Sequence, residues 1–210
     1  MPPRLRLTLI VVTTCLVLWL TAVVLLGAAT QHMINSEPQP TGFNGALKPP
    51  GARAGDFRLH DQDGRLVTLR AYRGRDVIVT FMYSTCQDTC PLTAQQIRGG
   101  LDQLGRAGSV PVLAISVDPV GDTPEHVRRF LVREQLVGRM RYLTGTRAEL
   151  EPVWRAFGVQ PQGQGYEHTA ATVIVDGAGR QRVGYLSDQL TPEGLADDLR
   201  TLGAGARAAR

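Results

Sequence analysis

The chain has 210 residues, 43% of them hydrophobic, and a formal net charge of +4. This length suits one domain with a sizeable core plus accessory sequence, and the composition is too apolar for a disordered chain. Arg supplies nearly all the positive charge, Lys48 being the only Lys, and the scatter of basic residues excludes a nucleic-acid patch; three cysteines exclude a disulfide-stapled miniprotein.

The N-terminus reads MPPRLRLTLIVVTTCLVLWLTAVVLLGAAT, with no charge between Arg6 and Glu37. Leu7 to Ala29, 23 residues, can cross a hydrocarbon core of about 30 Å at about 1.5 Å per residue. Arg4 and Arg6 precede it and Lys48 is the next basic residue. The positive-inside rule then puts the N-terminus in the cytoplasm and residues 31–210 across the membrane. Gly27, Ala28 and Ala29 offer a cleavage site, but the apolar run exceeds the roughly 7–15 residues of a secretory signal, so an uncleaved single-pass anchor over residues 1–30 is expected. Cys15 reads as an ordinary membrane-facing cysteine. Residues 31–54 hold four Pro and no apolar period and read as a flexible tether.

The domain is expected over residues 55–203. DFRLHDQDGRLVTL predicts a β-hairpin turning at Asp63-Gly64. DVIVTFMY (76–83) is a continuous apolar, β-branched run, as in a strand buried on both faces. Pro91 fits the first turn of a helix that uses Leu92, Gln95, Gln96, Leu101 and Leu104 and ends near Gly105. VPVLAISV (110–117) predicts a second buried strand. Thr123 and Pro124 read as the N-cap and first residue of the next helix, with Val127, Phe130, Leu131 and the following Val137 as its apolar side. RAELEPVWRAFGV predicts another helix closed at Gly158, with Trp154 and Phe157 inward. ATVIVDGAGRQRVGYL predicts a hairpin around Asp176–Gly179, and TPEGLADDLRTLG a capped helix before a frayed tail, 204–210. The order β-hairpin, β, α, β, α, α, β, β, α is the layout of a thioredoxin-like α/β fold: a central mixed sheet flanked by helices.

Cys86 and Cys90, in STCQDTCP, fall at the carboxyl end of a central strand where a helix begins, the edge at which α/β sheets place their sites. At i, i+4 their sulfurs share one face if the turn between them is helical, and a helix N-terminus favours the thiolate that both binds metal and exchanges disulfides. The pair alone leaves open redox chemistry, metal binding and a structural disulfide. A metal needs a third ligand. His32, His60 and His126 read as solvated or structural; His168, in the Gly-rich approach to the strand at 171–176, is the candidate that faces the cysteine helix. Asp118 and Asp122 follow the second buried strand on the same edge. Asp118 reads as a turn residue or as a site-shaping or partner-contacting one, and Asp122 as a helper in capping the next helix or as site-shaping. Met82 and Tyr83 read as core or rim.

CQDTCP (86–91), ISVDPVGDTPEHV (115–127), LTG (143–145) and HTAATVIVDGAGR (168–180) together resemble the Sco/SenC family of membrane-tethered copper chaperones, over roughly Gly55 to Leu202. Two positions depart from it: Gln87 stands where the family commonly has Pro, and Thr169-Ala170 where Ser-Ser or Ser-Ala is usual. The resemblance implies a thioredoxin-like domain that binds one copper, Cu(I) and/or Cu(II), through Cys86, Cys90 and His168. It implies delivery to the cytochrome c oxidase subunit bearing the binuclear copper site, with a copper donor and a thiol reductant as further partners. The expected place is the cell inner membrane, with the domain on the periplasmic side. The competing expectation is an extracytoplasmic thiol–disulfide oxidoreductase. Against it stand the three-residue gap between the cysteines and Ala170 at the position where thioredoxins carry a cis-Pro. A peroxidase would need a P-x-x-x-[TS]-x-x-C approach, absent before Cys86.

Overall fold

The computed structural model describes residues 14–21, 23, 42–105, 110–161 and 171–208. The chain divides into two units, Met1–Pro40 and Thr41–Arg210. In the first, Thr14 to Thr21 are helical and exposed. Most of the expected span Leu7–Ala29 lies outside the described residues, and among those described no helix is long and apolar enough to cross a membrane.

The second unit is built on a six-stranded mixed sheet, with strands β1 (Ala46–Leu47), β4 (Val77–Met82), β5 (Val112–Ser116), β6 (Met140–Leu143), β7 (Ala171–Val175) and β8 (Gln181–Leu186) in the order β1-β8-β7-β4-β5-β6. A separate hairpin joins β2 (Arg58–His60) and β3 (Leu66–Thr68) around the expected Asp63-Gly64 turn. β4 pairs parallel with β5, and β5 with β6; the remaining pairs are antiparallel. Parallel neighbours need crossovers, which are supplied by α1 (Thr89–Leu104) and α2 (Pro124–Arg133). α3 (Arg147–Phe157) and α4 (Pro192–Ala208) complete the unit. Every residue of β4 and β5 is buried, because helices cover both sheet faces. One apolar cluster joins the sheet to α1, α2 and α4; the other joins it to the β2–β3 hairpin and α3, with Trp154 and Phe157 inward as expected.

The caps read from sequence are present. Thr123 accepts the His126 N–H at 3.2 Å with Pro124 following, and α3 ends on left-handed Gly158; its start carries a cap the sequence reading did not assign, a reciprocal capping box of Thr146 and Glu149.

Four expectations change. First, the tether is shorter than 31–54. Asn44 and Gly45 donate their backbone N–H groups to the buried Asp198 carboxylate at 2.7 and 3.0 Å, β1 pairs with β8, and Ala54 is buried. A two-residue strand is too short to carry a periodic signal. Second, β6 lies between α2 and α3, where the sequence suggests no strand and where Val137 is exposed. Third, α1 buries Cys90, Thr93, Ala94, Ile97, Gly100 and Leu101 rather than Leu92, which is 48% exposed. Packing on α4 is close at the glycines: a Cβ on Gly99 would meet Pro192 at 3.0 Å, and one on Gly100 would meet Leu195 at 3.0 Å. Fourth, the expected frayed tail continues α4 as helix to Ala208.

β6 is an edge strand whose outward donors are occupied. Tyr142 N–H donates to Gln62 Oε1 at 3.0 Å, and Thr144 exchanges backbone hydrogen bonds with His60. This closes the edge against further strands.

Gln135 follows α2 at φ 58°, with its N–H on Val132 and that of Leu136 on Leu131. An L side chain is disfavoured in this left-handed position, where glycine is the usual helix terminator. Gln135→Gly is therefore expected to stabilise the domain by about 0.5–1 kcal/mol after the entropic penalty of glycine. Urea unfolding checks it, and a destabilised variant refutes it.

Candidate metal and redox site

β4 ends at Met82 and β5 at Ser116, and because they run parallel their following loops share one edge of the sheet. β7 is antiparallel, with Thr80 opposite Thr172, so the chain enters β7 at this edge too. The first loop carries the sulfurs. Cys86 and Cys90 are not joined by a disulfide and are both buried, at 3% and 1% exposure.

The helix start explains how Cys86 is held. The N-cap position of α1 is Asp88, whose side chain makes no capping hydrogen bond. The Cys86 sulfur accepts instead: Cys90 N–H reaches it at 3.4 Å, and Thr89 Oγ1 lies 3.9 Å away. A sulfur thus takes the place usually filled by a Ser or Asp oxygen, at the positive end of the helix dipole.

This asymmetry separates the two sulfurs. The Cys90 thiol donates to Cys86; the Asp88 and Cys90 backbone N–H groups and the Tyr83 hydroxyl add to it. Against the opposing effect of burial they lower the Cys86 thiol to about 4. Cys90 moves the other way, well above an ordinary thiol, because it is the proton donor to Cys86 and is itself desolvated. The pair holds one proton, on Cys90, across the neutral range. Tyr83 is pushed up to about 12 by burial and by donating to Cys86, so it stays a proton donor. The sequence left Tyr83 as core or rim; its hydroxyl donates to the Cys86 sulfur.

The second loop resolves both aspartates. Asp118 is a turn former: its carboxylate accepts Gly121 N–H at 3.0 Å, and its carbonyl accepts Asp122 N–H at 3.0 Å. His126 Nδ1, 2.8 Å from the Gly121 carbonyl, braces the same turn, in keeping with a structural histidine. Asp122 does not cap α2. It is buried and accepts from Ser84 N–H and Oγ, both at 2.6 Å, from Ser116 Oγ at 2.6 Å and from Tyr142 at 2.9 Å. Burial raises its pKa, opposed by the Ser116, Ser84 and Tyr142 donors. Ser116 sits inside the ISVDPVGDTPEHV segment, so a polar residue ending a buried strand was a usable signal. Tyr142, in the four-residue β6, left none.

Two histidines, His32 and His168, lie outside the described residues. Among the described residues no third His, Cys, Asp or Glu joins the sulfurs in a group able to hold a metal. A cleft of about 1040 Å³ includes Arg75, Pro111 and Arg139 at the amino ends of β4, β5 and β6, and neither cysteine lines it.

Comparison with known proteins gives a consistent pattern. The SCO1/SenC family model matches residues 46–204. The human mitochondrial SCO1 homologue is 33% identical over 111 residues, covering 50% of this chain and 35% of that protein. Protein SenC of Rhodobacter capsulatus is 28% identical over 158 residues, covering 69% of this chain and 68% of that protein. The matched stretch thus spans between about a third and two thirds of these relatives. The structure of Bradyrhizobium japonicum ScoI with copper bound is 31% identical, with a TM-score of 0.60, covering 70% of this chain and 98% of that one.

Proposed function

Because the chain belongs to the SCO1/SenC family, we propose that it is a membrane-tethered copper chaperone that loads the binuclear copper site of cytochrome c oxidase. The observation that carries this reading is the pair of buried, adjacent sulfurs, one of them held as a thiolate at a helix N-terminus. Thiolate is a soft ligand suited to Cu(I), and an imidazole from His168 would supply the borderline ligand that also tolerates Cu(II). Copper is here the cargo, so a site of few ligands suits release as well as capture. The likeness to a copper-bound ScoI supports the choice of metal. Arg4, Arg6 and the apolar run that follows support an anchor in the inner membrane, with the domain on the periplasmic side.

Copper titration of the reduced full-length chain in detergent, under anaerobic conditions, tests this reading. One copper per chain is expected, lost in Cys86→Ala and weakened in His168→Ala. Absence of stable copper binding by the wild-type protein refutes it.

The unequal sulfurs also favour a second role, reduction of the client's cysteines before metallation. The Cys86 thiolate attacks a client disulfide and releases one client thiolate, which takes up a proton. Cys90, once deprotonated, attacks the mixed disulfide and frees the second. The client gains two electrons and the pair ends as a disulfide, which cannot ligate copper as two thiolates, so a separate thiol reductant must restore it. Disulfide-reductase turnover unaffected by His168→Ala is the signature of this role.

A further inference from the structure

Asp122 does more than its position in the loop requires. The cap of α2 is already supplied by Thr123. Asp122 is 5% exposed, and no ion pair neutralises it among the described residues. A buried carboxylate without a cation is unfavourable unless its lone pairs are filled by donors. Here Oδ1 takes both donors of Ser84, and Oδ2 takes the hydroxyls of Ser116 and Tyr142. Tyr142 is fully buried, and its hydroxyl also reaches the Met82 carbonyl at 3.1 Å. One carboxylate therefore ties together the end of β5, the edge strand β6 and Ser84, just beyond β4. Ser84 lies two residues before Cys86, in the stretch between Met82 and Thr89 that belongs to neither strand nor helix.

We propose that Asp122, held by Tyr142 and acting through Ser84, is a positioning residue for the sulfur pair. It fixes the turn from Tyr83 to Cys86 against the sheet and thereby sets where the Cys86 sulfur stands relative to Cys90. Ligand-orienting partners of this kind are worth about 10–100-fold in metal affinity. The copper arm of the test rests on the copper-binding reading above; the metal-free arm does not.

The experiment uses the full-length chain in detergent with Asp122→Ala, Asp122→Asn and Tyr142→Phe. Three quantities are read below each variant's melting temperature: the dithiol–disulfide midpoint of the metal-free protein, the thiolate–Cu(II) charge-transfer band, and copper affinity. Asp122→Ala is expected to shift the midpoint and band and to weaken copper by about 10–100-fold. Asp122→Asn, which keeps an acceptor for Ser84 N–H, stays closer to wild type, and Tyr142→Phe shifts the same quantities in the same direction. Folded variants that keep the wild-type midpoint, band and affinity, whatever their melting temperature, overturn the proposal. If Asp122→Ala does not fold, Tyr142→Phe decides, since it removes a single hydroxyl. If the wild-type protein binds no copper, the proposed function falls, and the midpoints alone decide whether Asp122 positions the sulfurs.

Discussion

Between about pH 4 and pH 8.5 the reduced protein is expected to gain stability with rising pH, and the Cys86→Ser variant to lack that gain. An unfolded cysteine titrates near 8.5. Below that, both thiols of the unfolded chain are protonated, whereas the folded pair holds one proton, because Cys86 is lowered to about 4. The unfolded state thus binds one more proton across this window, and stability rises by up to about 1.4 kcal/mol per pH unit. The contribution of Cys86 is present above the unfolded pKa and lost as pH falls through about 4. Cys90 has the opposite sign: its raised folded pKa lets the folded state keep a proton the unfolded state sheds, so stability falls again above about 9. Urea unfolding with a phosphine reductant at several pH values, read as wild type minus Cys86→Ser, isolates the effect from other carboxylates. Parallel curves from pH 5 to pH 8 would falsify the thiolate assignment.

The second large effect is at the other polar knot. Asp198 is fully buried and accepts from Asn44 N–H at 2.7 Å, Asn44 Nδ2 at 2.9 Å, Gly45 N–H at 3.0 Å and the Tyr185 hydroxyl. Asp198→Ala strands these donors, each worth about 1–3 kcal/mol if left buried and unpaired. Some regain water as the segment loosens, so a loss of about 3–5 kcal/mol is expected. For a domain of this size that lowers the melting temperature by about 6–20 °C. Hydrogen exchange at Asn44 to Leu47 should accelerate more than exchange in β4. A loss below about 1 kcal/mol, with that segment still protected, shows that the carboxylate does not hold the chain's entry into the domain.

Much of the fold was legible because long elements repeat their signals. The β-branched run of β4, the Thr123-Pro124 start, the Gly158 stop and the Asp176–Gly179 turn each carry local chemistry that forces one backbone shape. The strands missed were β1 and β6, of two and four residues. Strands that short exist only because a neighbour offers a ladder, so nothing in their own residues announces them. The buried face of α1 was misread for a related reason. Its inward side includes Thr93, Ala94 and Gly100, small or polar residues that a search for apolar periodicity passes over, while Leu92 faces outward.

The site divides along the same line. The amino-acid order alone places the two cysteines four residues apart between a buried strand and a helix start, since spacing and hydrophobic period are local properties; that Cys86 precedes the helix and Cys90 lies in it is decided by the fold. Their inequality depends on three dimensions. Cys86 becomes the acceptor at a helix N-terminus because Asp88 leaves that place to it, and Tyr83 becomes a donor because the end of β4 turns it toward the pair. Asp122 reaches Ser84 from 38 residues away because β4 and β5 run side by side and bring the loops after them together. Such charges and hydrogen bonds act through distance in space, and only the packed sheet brings those groups within reach of one another.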